Sequence, residues 1–150
     1  MDPTGRGLER FVSAQDEGGT YDRALRELRG GRKVSHWMWF VLPQVAGLGS
    51  SETARFYAVA NLAEARAYLA HPVLGARLRE CCRVLLELDE MSAQRSAVDV
   101  FGPVDAMKLR SSMTLFARAD PDEPLFVEVL EGYFHGEPDP ATDAQLRLDR

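Results

Sequence analysis

The chain has 150 residues, 45% of them hydrophobic and 27% charged, and a formal net charge of -5. That length suits a single domain spanning 1–150 with its own hydrophobic core, expected over about 8–148. The acidic balance argues against nucleic acid, whose binders carry a basic face, and no apolar run approaches the roughly 20 residues of a membrane span.

In chain order, Met1-Asp2-Pro3-Thr4-Gly5-Arg6 leads into no apolar signal region, so a cytoplasmic protein is expected. Leu8, Phe11 and Val12 mark one face of a short helix running to about Gln15, which Gly18 and Gly19 break. Thr20 is placed to cap a second helix, with Tyr21, Ala24, Leu25 and Leu28 at the spacing of a buried face and Gly30-Gly31 at its end.

The stretch Ser35-His36-Trp37-Met38-Trp39-Phe40-Val41-Leu42-Pro43-Gln44 follows. It fits extended chain or a short helix, and Pro43 biases Leu42 away from helical geometry. Val45 to Ser51 reads as a glycine-containing loop, with Ser50 or Ser51 capping a segment around Phe56, Tyr57 and Val59 that fits helix or strand.

Asn61 and Glu64 have the spacing of a capping box, opening a helix to about Ala70. Pro72 suits the first turn of the next helix, where Leu74, Leu78, Cys81, Leu85 and Leu88 make the most regular apolar stripe of the chain. This is the expected central core helix.

Cys81 and Cys82 are adjacent, a spacing that rarely bridges, and within that stripe they read as buried free thiols. A short helix over Ala93 to Val100 precedes Gly102-Pro103, which begins a helix through Phe116 to about Ala119. Asp120-Pro121-Asp122-Glu123-Pro124 is a turn before a helix with Phe126, Val129, Leu130 and Tyr133 on one face. Thr142 and Gln145 have the spacing of a final capping box. The fold class expected is all-α, a compact multi-helix bundle with at most a short two-stranded element near Trp37 or Phe56.

On a helical wheel for Pro103 to Phe116, Asp105, Lys108 and Ser112 fall within about 60° of one another. They sit inside the apolar arc, with Ser111 at its rim and Arg110, Thr114 and Arg118 on the opposite face. Buried charge is costly unless paired. In one reading Asp105 and Lys108 neutralise each other at the edge of the core. In the other they line a cleft and meet a ligand, since polar groups converging in an apolar pocket mark small-molecule sites.

The aromatic stretch carries the same two readings, core packing or a stacking wall for a planar ring. The candidate ligand-binding residues are His36, Trp37, Trp39, Gln44, Ser51, Lys108, Ser111 and Ser112, with Asp105 the candidate catalytic carboxylate. Arg77 reads as solvated or salt-bridged. His36, His71 and His135 share no ligand spacing, so neither metal nor cofactor is expected.

Several blocks stand in order along the chain: Ser35 to Phe40, Pro43-Gln44, His71-Pro72-Val73-Leu74-Gly75-Ala76-Arg77-Leu78, Phe101-Gly102 and Lys108-Leu109-Arg110-Ser111-Ser112-Met113-Thr114-Leu115-Phe116. Together they resemble the bacterial domain-of-unknown-function family 1810 from Phe11 to about Leu146. Arg110 fills the open position of that family's Lys-Leu-x-Ser-Ser-Met-Thr-Leu-Phe run. The resemblance implies a mainly α-helical cytosolic domain and no established reaction. Such proteins are sometimes labelled calpastatin, but that inhibitor is a disordered repeat protein, and this sequence is repeat-free with a globular composition.

In general plan the chain is also similar to the NADAR-type N-glycosidases, which act on ADP-ribose-like or related ribosyl substrates. No catalytic motif aligns, so no catalytic residue carries over. The expectation is therefore a small anionic or nucleotide/ADP-ribose-like ligand. Any reaction would be hydrolysis of an N-glycosidic or related ribosyl bond. No nucleic acid or membrane partner is expected. The alternative is a non-catalytic protein-interaction module with the aromatic stretch as its anchor patch.

Overall fold

The computed structural model describes residues 7–91 and 96–148. It is all-α: α1 (Glu9–Asp16), α2 (Thr20–Arg29), α3 (Met38–Val41), α4 (Glu52–Phe56), α5 (Leu62–Ala70), α6 (Leu74–Met91), α7 (Ala97–Ala119), α8 (Leu125–Phe134) and α9 (Pro140–Leu148), with a 3-10 turn at Glu17–Gly19. The two-stranded element allowed for near Phe56 reduces to one parallel bridge, Val45 with Val59. Residues 52–56 take the helical option, and the chain from Tyr57 extends to reach that bridge.

The stripe of α6 is buried as its spacing requires, with Leu74, Leu78, Cys81, Leu85 and Leu88 all in the core. It packs on α2, α5 and α8. The centre of the fold is nevertheless shared with α7, which packs on α5, α8 and α9. Every residue from Ser111 to Ala117 on α7 is buried. The C-terminal segment packs along the face of Arg110, Thr114 and Arg118, burying Thr114 and leaving Arg118 exposed. Arg110 donates to the carbonyls of Glu137 and Pro138, Thr114 Oγ1 accepts from Asp139 N, and Arg118 donates two hydrogen bonds to the Asp143 carboxylate.

Within the span of α7, Gly102 (φ 80, ψ 165) leaves helical geometry, so a short first helix ends at this kink and Pro103 opens the long one, as the Gly102-Pro103 pair predicts. The short segment ahead begins at Ala97, capped by a Ser96–Asp99 box. Of the span expected to start at Ala93, residues 93–95 lie outside the described residues.

Other local expectations shift by a residue or two. Thr20 is the first residue of α2, and its hydroxyl donates to Glu17 O instead of capping. Asn61 caps α5 through Glu64 N, but the Glu64 carboxylate reaches back to Ala60 N and to a buried Arg10, 3.1 Å away. His71 Nδ1 accepts from the amides of Val73 and Leu74, so a histidine leads into α6, and Pro72 lies in the turn just ahead of Leu74 rather than in the helix's first turn. Gly75 is a close-approach position: a Cβ there would stand 2.1 Å from Leu69 O. The last helix starts at Pro140 with Asp139 ahead of it, not at a Thr142–Gln145 box.

Candidate functional site

The site begins with a carboxylate on α2. Glu27 accepts from Val34 N (2.7 Å), Ser35 N (2.9 Å), the Ser35 hydroxyl (2.5 Å) and Trp37 Nε1 (2.9 Å). Burial alone would raise its pKa, but these donors outweigh burial and hold it at about 2. The clamp fixes the chain from Val34 to Trp37 and seats the Trp37 ring fully in the core, edge-on to Phe101.

Lys33, just before the clamp, is held in turn. Its backbone N–H donates to Val100 O, and its ammonium donates to Ser35 O (2.6 Å) and pairs with Asp105 (2.8 Å). It also lies 5.0 Å from the Trp37 ring centre. Asp105 therefore serves two lysines, since Lys108 lies 3.7 Å from its other oxygen. The Lys108 ammonium stands over the Trp39 ring, 4.6 Å from its centre.

Lys108 and Trp39 open onto a cleft of about 500 Å³ between the Gln44–Ser51 loop, α4, α7 and the start of α9. Its polar lining is Gln44, Ser50, Ser51, Lys108, Arg110, Ser111 and Asp139; its apolar lining is Trp39, Leu48, Ala54, Val104, Met107 and Ala141. Asp139 Oδ2 accepts from the hydroxyls of Ser111 (2.7 Å) and Thr142 (2.6 Å) and from Thr142 N, while Oδ1 accepts from Ala141 N at 3.3 Å. Burial pushes its pKa up, but the Thr142 and Ser111 hydroxyls and the two amides bring it below the usual aspartate range. The Ser51 hydroxyl is taken up capping Ala54 N.

Of the residues singled out from the sequence, the structure brings Trp39, Gln44, Ser51, Lys108 and Ser111 to one cleft. It does not bring the others. His36 is exposed and lines no part of the cleft. Trp37 is a core residue tied to Glu27. Ser112 is buried beneath the cleft, its hydroxyl without a partner among the described residues. Asp105 stands behind Lys108, outside the lining, and its first partner is Lys33 rather than Lys108 alone.

Sequence reasoning missed Glu27, Lys33, Arg110 and Asp139 as parts of the site. Asp139 carried a readable signal, because Asp followed by Pro matches a capping residue before the first helical position. Arg77 is salt-bridged as one reading had it, to Asp16 at 2.8 Å, and its guanidinium also covers the Tyr21 ring. Cys81 and Cys82 are free and buried; burial raises Cys81 to about 12 and Cys82 well above its ordinary value. The described residues hold no group of three or more His, Cys, Asp or Glu that could bind a metal.

The family model described as a protein of unknown function (DUF1810) matches residues 5–146. The chain belongs to the DUF1810 family. It is similar, at 48% identity, to the conserved hypothetical protein Rv1873 from Mycobacterium tuberculosis, known from a crystal structure. The match covers 93% of this chain and 96% of that one, with a TM-score of 0.87. No curated protein matches the chain. No helix among the described residues is long and apolar enough to cross a membrane.

In this DUF1810 chain the run from Lys108 to Phe116 splits its duties. Lys108 and Ser111 reach the cleft, while Leu109 and the residues from Ser112 to Phe116 fill the core between α5, α8 and α9. The chemistry on offer is electrostatic and hydrogen-bonding. Asp105 is held by two ammonium groups, and Asp139 already accepts from two hydroxyls and two amides.

Proposed function

We propose that this DUF1810 protein binds a small anionic ligand with a planar or ribosyl body in the Trp39–Lys108 cleft. One observation carries the reading. An ammonium held between a carboxylate and an indole face, with only 23% of its side chain exposed, borders a cleft of mixed apolar and polar walls. A cation in that setting has lost part of its hydration without gaining a full ion pair, and an anion supplies the missing partner. Gln44 would orient the ligand and Trp39 would form one wall. Binding is the activity proposed. The setting proposed is the bacterial cytosol, which suits two free buried thiols.

The test is a thermal-shift screen against nucleotides, ADP-ribose and small organic acids. A ligand present at about 100 times its Kd should raise the melting temperature by roughly 5–10 °C. Lys108→Met, which keeps the stem and removes the charge, should abolish the shift and leave the unliganded melting temperature nearly unchanged. If Lys108→Met unfolds the protein, Lys108 is an ion-pair member of the fold and the site reading fails.

A second reading is favoured by the rim. Val104 and Met107 are 64% and 72% exposed beside Trp39, an apolar edge suited to a protein partner. Under that reading Met107→Asp would abolish complex formation, and no small molecule in the screen would shift the melting temperature.

A further inference from the structure

We infer that the cleft selects a singly charged carboxylate on a flat apolar body and discriminates against diphosphates and other polyanions. The inference rests on the anion-site reading above and narrows its ligand. Two cationic side chains line the cleft, Lys108 and Arg110. Arg110 keeps its charge, but Nε and Nη2 are turned to Glu137 O (2.9 Å) and Pro138 O (2.8 Å), and the Glu137 carboxylate 3.6 Å away offsets that charge in part. Lys108 is shared with Asp105, which the closer Lys33 ammonium already neutralises in part. Close to one positive charge therefore faces the cleft.

Against it stands Asp139 in the same lining, kept ionised by the hydroxyls of Ser111 and Thr142 and by two amides. A diphosphate brings at least two negative charges, commonly met by a cradle of backbone amides, several cations or a metal. Here the Ser51 oxygen already accepts from Ala54 N, leaving its hydroxyl one proton to donate, and the Asp139 carboxylate in the lining repels a second negative charge. A carboxylate needs only the Lys108 ammonium for one oxygen and the Gln44 amide for the other. Lys108 covers the Trp39 face, so the flat body would lie along Leu48, Val104 and Met107.

The experiment follows the two indole N–H resonances of isotope-labelled protein, assigned with Trp39→Phe. The probes are phenylpropionate, phenylpropionamide and ADP-ribose. Phenylpropionate should move the Trp39 signal saturably and leave that of Trp37 in place. The amide and ADP-ribose should each bind at least about tenfold more weakly. Lys108→Met should remove the phenylpropionate response and Lys108→Arg should restore part of it.

ADP-ribose binding as tightly as phenylpropionate would overturn the inference and leave the anion site standing. An amide as effective as the carboxylate would show that charge plays no part, and both would fall. No response to any of the three would also end both. The carboxylate–amide comparison uses the unaltered protein, so it stands whatever Lys108→Met does to folding.

Discussion

Glu27→Gln tests the foundation on which the site is built. The carboxylate holds four donors, three on one oxygen and the Ser35 hydroxyl on the other. Glutamine matches its shape and can keep most of these contacts, but every bond loses its charge assistance. Two routes give the size of the effect. Charge-assisted bonds exceed neutral ones by about 1 kcal/mol each and do not add fully, so four of them imply roughly 2–3 kcal/mol. Linkage gives a similar figure. The drop from 4.5 to about 2 is about 3 kcal/mol undiminished, and solvent screening of this half-buried group leaves roughly 2 kcal/mol.

The folded pKa is depressed, so the stabilisation is fully present above 4.5 and is lost as pH falls towards about 2. Urea unfolding followed by tryptophan fluorescence at a series of pH values measures it. At pH 7 the variant should be about 2 kcal/mol less stable, a fall in melting temperature of roughly 4–8 °C. The gap to the unaltered protein should close across the acid window. Asp139 and Asp143 also have lowered pKa values, but they are present in both proteins and cancel in the difference. A cost below about 0.5 kcal/mol, or two curves parallel at every pH, would refute the role given to Glu27.

Leu78→Ala and Leu85→Ala, both on the buried stripe of α6, should each cost about 2–5 kcal/mol in chemical denaturation. Glu64→Leu strands the buried Arg10 guanidinium, which keeps carbonyl contacts at Gly7, Phe56 and Ala58. The expected loss is about 3 kcal/mol, and adding Arg10→Met should recover part of it in a double-mutant cycle. Cys81 and Cys82 should resist a thiol reagent at pH 8 in the folded protein and react at once in denaturant, because burial raises both thiols.

Helical periodicity carried most of the fold. The spacing of Leu74, Leu78, Cys81, Leu85 and Leu88, and that of Phe126, Val129 and Leu130, places each of those side chains in the core. Periodicity is a one-helix property, which explains where it stopped. It marked Arg110, Thr114 and Arg118 as a separate face but had no means of showing that Asp139 and Asp143 would come back to pack along it.

The same limit governs the site. The wheel put Asp105, Lys108 and Ser112 on one arc, yet Ser112 lies a full turn beyond Lys108, where the helix has already entered the core. His36 and Trp37 lost their expected place because Glu27 pins Ser35 and the Trp37 indole, leaving His36 exposed. Lys33 was invisible for the opposite reason. A lysine in a loop reads as solvated, and only the tertiary fold brings it, 7% exposed, to Asp105.

Glu27, Lys33, Asp105 and Lys108 thus form one arrangement rather than separate features. Glu27 fixes the backbone after Lys33; Lys33 fills the nearer oxygen of Asp105; Asp105 restrains Lys108; and Lys108 rests on Trp39. One carboxylate between two ammonium groups leaves an excess of positive charge. At Lys33 that excess is met by Asp105, a backbone carbonyl and an indole face. At Lys108 the carboxylate is more distant, and the residue borders the cleft. A purely structural pair would gain by closing to hydrogen-bond distance, because a buried charge is stabilised most by its nearest partner. Here the shorter contact goes to the more buried lysine, and the lysine with the longer contact faces the cleft. That asymmetry is what makes Lys108, and not Asp105, the residue around which a ligand would be organised.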